Sequence, residues 1–170
     1  MIIVALILLG ATAVLPPVLA LWKLPDWFTA CIAATLLSTA AIAATYTHKV
    51  HGFPLALTAL LSVLAAAVGG LKIAPLAFRL ARRQQPVTES EAASQPLQGG
   101  LIIGLLERVA ISAAILAGWP EGMAIVLAVK GLARYPELRE PHASEQFIIG
   151  TFASVLWAIA AGGIGRGMFS

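Results

Sequence analysis

Apolar residues fill this chain in long blocks, and short polar turns separate them. The first block, about Ile2 to Trp22, carries no charged residue. It reads as a membrane-spanning helix that Pro16-Pro17 should kink or shorten. Lys23-Leu-Pro-Asp26 makes a polar turn, with Trp22 and Trp27 on either side as interfacial anchors. A second span, about Trp27 to Tyr46, is rich in Ala, Thr and Ser, which suits close helix contact in lipid. His48 to Pro54 forms the next turn, and a third span runs from about Leu55 to Gly70, closed by Lys72. Ile73 to Arg83 reads as an extension lying at the surface, with Arg79, Arg82 and Arg83 among headgroups.

The one sustained polar stretch, Arg83 to Gln98, is poor in aromatic and branched residues and reads as a flexible linker. Beyond it come a fourth span (about Gly100 to Leu116), a Gly118-Trp-Pro-Glu-Gly122 turn and a fifth span (about Met123 to Ala133). A charged loop from Arg134 to Ser144 then leads to the last span, about Gln146 to Ile164. The pattern predicts an all-α polytopic bundle of about six transmembrane helices, three on each side of the linker. Its parts are a membrane unit over 1–83, a linker over 84–99 and a second membrane unit over 100–170. The fifth element gives about 21 Å of helix at 1.5 Å per residue, so it either crosses or re-enters.

Composition sharpens the class. Hydrophobic residues make up 59% and charged residues 11%, with a mean hydropathy of +0.90, where a soluble domain carries about 25% charged. The net charge of +3 does not point to nucleic acid, because the bases flank or interrupt apolar blocks. Placing 84–99 in the cytoplasm puts Lys23, Lys72, Arg79, Arg82, Arg83, Arg134 and Arg139 inside and leaves Lys49 and Arg166 outside. Both termini then lie outside the cytoplasm. A single cysteine, Cys31, excludes an internal disulfide and a cysteine metal cluster. The N-terminus lacks a basic n-region and reads as a retained span. Two three-span halves of opposite topology suit a transporter, but nothing in the first half matches the charged residues of the second.

Those charges are the candidate chemistry. Glu107 and Arg108 lie well inside the fourth span, where a charge costs about 3 kcal/mol on insertion scales. The short turn makes the fourth and fifth spans an antiparallel hairpin. Counted from Pro120, Glu107, Lys130 and Arg134 stand roughly 20, 15 and 21 Å away. Glu107 is therefore level with two bases that share a helix face. Arg108 points about 100° away from Glu107 and needs another acceptor, for which Glu145 is the candidate, near a helix N-terminus. Two acids facing three bases leave one positive charge, which predicts attraction of an anionic lipid phosphate or small anionic solute. The competing readings are a purely structural pairing and a catalytic role. Gly100 and Gly104 form a small-xxx-small pattern for helix contact.

Other signals are weaker. His48 and His51 are half a metal site without an acid nearby in sequence, and His142 stands alone, so no metal and no cofactor is expected. Ser112, Ser144, Thr151 and Ser154 have no histidine base at matching depth. Gly162 to Gly167 follows a span and lacks the Lys-Ser/Thr of a phosphate loop.

At Glu107-Arg108, Lys130, Arg134 and Ser144-Glu-Gln-Phe-Ile-Ile-Gly-Thr151 the chain resembles an uncharacterised bacterial multi-pass membrane-protein family. Members carry a Gly-x-x-x-Gly-x-x-Glu-Arg helix, a helix bearing Lys and Arg, and a Ser-Glu-x-Phe-x-Ile-Gly-Thr span. The likeness covers the last 70 or so residues and lacks the family's His-Gly-Asp-Phe-type N-terminal motif. It implies a recurring C-terminal module in a bacterial plasma membrane. The leading expectation is a homo-oligomeric membrane protein that binds or passes an anionic species at the charged node. The alternatives are an accessory or scaffold subunit of an envelope complex and, more weakly, an enzyme acting on a lipid-linked phosphate with Glu107 as base.

Overall fold

Helix begins one residue into the chain and persists wherever the apolar blocks run. A computed structural model describes residues 1–22, 24–47, 49–82, 100–135 and 141–169. The linker 84–99, the loop 136–140, Lys23 and His48 lie outside those residues, as does the side chain of His142. Among the described residues helix is the only regular secondary structure, with no strand. The chain forms α1 (Ile2–Leu21), α2 (Asp26–Thr45), α3 (Phe53–Ala67), a 3-10 turn (Gly69–Lys72), α4 (Ile73–Arg82), α5 (Gly100–Leu116), α6 (Pro120–Ala133) and α7 (Pro141–Phe169). Among the described residues four stretches are long and apolar enough to cross a membrane: Ile2–Leu21, Asp26–Thr45, Phe53–Ala81 and Phe147–Phe169. α5 and α6 are shorter, at 17 and 14 residues.

α7 is the central column. It packs against α2, α3, α4 and α5, while α1 joins α2 and α3 on one flank and α6 rests on α5 on the other. One buried cluster draws Ala5, Leu9 and Ala13 from α1, Ala33, Leu37 and Ala40 from α2, and Ala65 and Ala66 from α3. Ile111 of α5, Val155, Trp157, Ala158, Ala161 and Met168 of α7, and Val50 before α3 complete it. Its many alanines follow from the setting: lipid tails are as apolar as leucine, so helices associate by close approach rather than by hiding bulk.

Two expected helix bounds are revised by this architecture: the prolines do not shorten α1, and α7 ends later. α1 continues through Pro16 and Pro17 to Leu21. Pro16 can donate nothing to the carbonyl of Thr12 four residues back, and that carbonyl faces Gly69, where an added methyl would meet it at 2.8 Å. A neighbouring glycine thus accommodates the helix defect. α4 packs on α7, with Phe78 directly over Gly150, while Arg79 and Leu80 stay exposed. α7 does not stop at Ile164 but runs on to Phe169, so the glycine-rich stretch lies inside a helix. There Gly162 and Gly165 are the places where α5 and α3 press closest.

Polar contacts tie the two ends of the bundle. At one, Asp26 in the first turn of α2 bridges Lys72 at 2.9 Å and Arg79 at 2.6 Å. At the other, the Val50 amide donates to the Met168 carbonyl at 3.0 Å. Arg166 there donates to the Leu116 carbonyl at 3.1 Å. That last bond caps the C-terminal end of α5, where carbonyls lack intrahelical donors. Gly118, at φ +70, turns the chain over it into α6.

Candidate functional site

The site forms because one turn of α5 puts two charges on different faces. Glu107 and Arg108, 6% and 4% exposed, are adjacent in sequence and so point about 100° apart. Glu107 looks toward α6, where the Lys130 ammonium donates to its Oε2. The Lys130 chain also lies over the Phe147 ring, 5.6 Å from its centroid, which adds a cation–π attraction. The other carboxylate oxygen, Oε1, is buried and has no hydrogen-bond partner among the described residues.

Arg108 looks the other way, into the seam between α3 and α7. Its Nε donates to the Ala67 carbonyl at 3.0 Å and its Nη1 to the Ser154 hydroxyl at 3.3 Å. Ala67 can accept because the helix breaks there. The Leu71 amide, which would donate to Ala67 in an uninterrupted α-helix, donates to Val68 at 3.2 Å. A broken helix at membrane depth needs its freed backbone groups satisfied by protein, and Arg108 supplies one donor. Trp157 braces the same segment, its indole Nε1 donating at 3.0 Å to the Ala65 carbonyl, which also accepts from the Val68 amide. Gly70 is where these side chains converge. A methyl there would come within 2.6 Å of Trp157 and 2.9 Å of Arg108.

The remaining anticipated residues fall differently. Glu145 is exposed in the opening turns of α7, nine residues before Ser154 and so roughly 13 Å away along the helix. The acceptors of Arg108 are thus a broken-helix carbonyl and a hydroxyl, in place of that carboxylate. Arg134 is half-buried at the C-cap of α6, and the Glu107 partner is Lys130, one turn earlier. Gly100 faces open space, and a methyl at Gly104 would meet only the Arg108 guanidinium, at 3.5 Å. Gly104 therefore clears room for a side chain that leans back toward its helix N-terminus, while among the described residues no other helix closes on the pair. His51 and Cys31 are exposed. Among the described residues no group of three or more acids, histidines or cysteines is placed to hold a metal.

Ser154, Trp157, Gly69 and Gly70 were not singled out for this site by sequence. The Gly69-Gly70 pair in an otherwise apolar span is the signal that could have marked the break.

The fold and this site define a helical membrane protein with a charged cluster sealed among its helices. Comparison with protein-family models, with curated proteins and with solved structures finds no match.

Proposed function

We propose that the protein is an integral membrane protein that binds or passes an anionic species at the Glu107–Arg108–Lys130 node. The observation that carries this reading is the charge balance. Glu107 is engaged by Lys130, while Arg108 is buried against two neutral oxygens. One carboxylate and two bases leave a surplus of +1 on protein groups 6%, 4% and, at the Lys130 side chain, 20% exposed. In low dielectric such a surplus strongly favours an anion nearby. The side of Lys130 is the more open one and is the natural approach.

In this reading α5 and α6 cross as a hairpin and bring the spans to six, with 84–99 cytoplasmic and both termini on the far side. α6 is the place for a second copy, since it packs mainly on α5 and turns Ile125, Val129 and Leu132 outward. The test is flux in liposomes of purified protein, with chloride and phosphate as probes, together with mass spectrometry of co-purifying lipid. Arg108→Gln and Lys130→Met should each abolish flux, or strip a bound anionic lipid, in protein that still folds. Unchanged flux and lipid content in both variants would sink the proposal.

A second reading is favoured by the hydrogen bonds of Arg108, which fasten α5 to both α3 and α7. In it the protein is a non-catalytic scaffold subunit of an envelope complex, and the node only holds shape. The same variants would then lose stability or partner co-purification with no transport phenotype.

A further inference from the structure

The glycines of α7 divide by what they meet. Gly150, Gly162 and Gly165 each have a neighbour where a methyl would be, from α4, α5 and α3. At Gly163 and Gly167 a methyl would meet nothing within 4 Å. Glycine is a poor helix former, and among the described residues no neighbour requires it at these two positions. They are four apart and so share one face of the helix. That face opens into a groove of about 470 Å³ between α2 and α7. Leu37, Ala41 and Thr45 line its α2 wall, and Ile159, Gly163 and Gly167 its α7 wall.

Register and length decide what the groove fits. α2 starts at Asp26, bound to Arg79 of α4, and the early part of α7 lies under Phe78 of the same α4. The two helices therefore run parallel. Each wall advances from Leu37 to Thr45 or from Ile159 to Gly167, roughly 12 Å of helix. The apolar span of α7 is Phe147–Phe169, so the groove begins near its middle and stops near its end. A hydrocarbon core is about 30 Å thick, which makes the groove close to one leaflet deep. A packed transmembrane helix continues through both leaflets, whereas an acyl chain ends at the midplane.

The mouth lies at headgroup level. The Val50 amide donates to the Met168 carbonyl at 3.0 Å, which holds Lys49 beside the Gly167 end. Lys49 is exposed, and no ion pair joins it to an acid among the described residues. Tyr46, 70% exposed, suits the same interface. We infer that the α2–α7 groove seats one acyl chain of an anionic glycerophospholipid, with its phosphate on Lys49. This site lies toward the far end of α7 from the contact of Lys130 with Phe147, and it does not rest on the reading of the node.

Native mass spectrometry of detergent-purified protein, titrated with phosphatidylglycerol or with phosphatidylcholine of the same chains, reads the site. The natural protein should hold one phosphatidylglycerol about fivefold more tightly than one phosphatidylcholine, the worth of a single lysine near a headgroup. Gly163→Leu fills the groove and should weaken both by about tenfold, the worth of roughly two buried methylene groups. Lys49→Gln should erase the preference and leave phosphatidylcholine binding as it was. A phosphatidylglycerol with a photoreactive group at the end of its chain needs no variant. In the natural protein it should label Leu37 and Ile159, at the deep end, above lipid-facing Ile42. Unchanged lipid binding in Gly163→Leu overturns the inference, as does equal affinity for the two lipids or even labelling along α2 in the natural protein. Loss of a dimer in Gly163→Leu with lipid binding intact would give the groove to a second copy instead. Lipid that leaves with Lys130→Met but stays with Gly163→Leu belongs to the node, and the groove inference then fails alone.

Discussion

Two clusters in this molecule have the same formal makeup, one carboxylate and two bases, in opposite surroundings. Asp26 with Lys72 and Arg79 sits at the helix ends, where the two bases are 36% and 62% exposed. Glu107 with Arg108 and Lys130 sits among the helices, with both α5 residues under a tenth exposed. At the helix ends water can solvate whatever the partners leave unsatisfied, so geometry is free to be loose. Inside, each charge has had to recruit a dedicated partner: an ammonium for Glu107, and a carbonyl released by a helix break for Arg108. Burial, more than the number of charges, decides which cluster is built to close tolerance.

The largest consequence follows from removing the buried acid. Glu107→Gln leaves Lys130 and Arg108 without a counter-charge inside the bundle, and breaking a buried pair in this way costs about 3–5 kcal/mol. A correspondingly large drop in Tm is expected in the single variant. Pairing it with Lys130→Met should recover most of the loss, because removing both partners of a buried pair is often close to neutral. A double variant as unstable as the single one would show that the Lys130 ion pair is not what makes Glu107 costly to replace.

This contrast also marks how far the sequence could be read. Residue counting along a hairpin turned at Pro120 is enough to set Glu107 level with the Lys130–Arg134 interval, since helical rise is nearly invariant. The membrane-helix class follows as directly from the long apolar blocks. What acts on Arg108 was hidden for a physical reason. Its acceptor is a backbone carbonyl, which every residue owns, and only the unwinding at Gly69-Gly70 singles out Ala67. Glu145 was the carboxylate expected to enter from the same inner side, but a buried guanidinium can donate to any well-placed oxygen. The continuation of α7 through Gly162 to Gly167 was likewise hidden, because glycine counts against a helix unless neighbouring helices need its face bare.

The break itself yields the next prediction. Gly70→Val inserts a branched side chain where even a methyl meets Trp157 and Arg108 at 2.6 and 2.9 Å. Overfilling a tight contact costs about 1–3 kcal/mol, so Tm should fall by less than in Glu107→Gln. Gly100→Val, facing open space, should leave Tm unaltered. Equal effects at the two glycines would mean that the seam around Arg108 is not closely filled.

The smallest effect belongs to the helix-end cluster, and its salt dependence makes it the sharpest check on the comparison. Asp26→Asn removes attraction to two bases that remain partly solvated, worth on the order of 1 kcal/mol at most. At 1 M salt the Debye length is about 3 Å, so screening should erase most of the difference between Asp26→Asn and the natural protein. The penalty of Glu107→Gln should survive the same ionic strength when the salt is sodium gluconate, whose anion is too bulky for the node, because a buried pair is screened far less than an exposed one. Measuring both variants in low and high salt therefore tests burial as the deciding variable. If the two penalties shrink together, Glu107 is reached by bulk ions and the node is no more sealed than the helix ends.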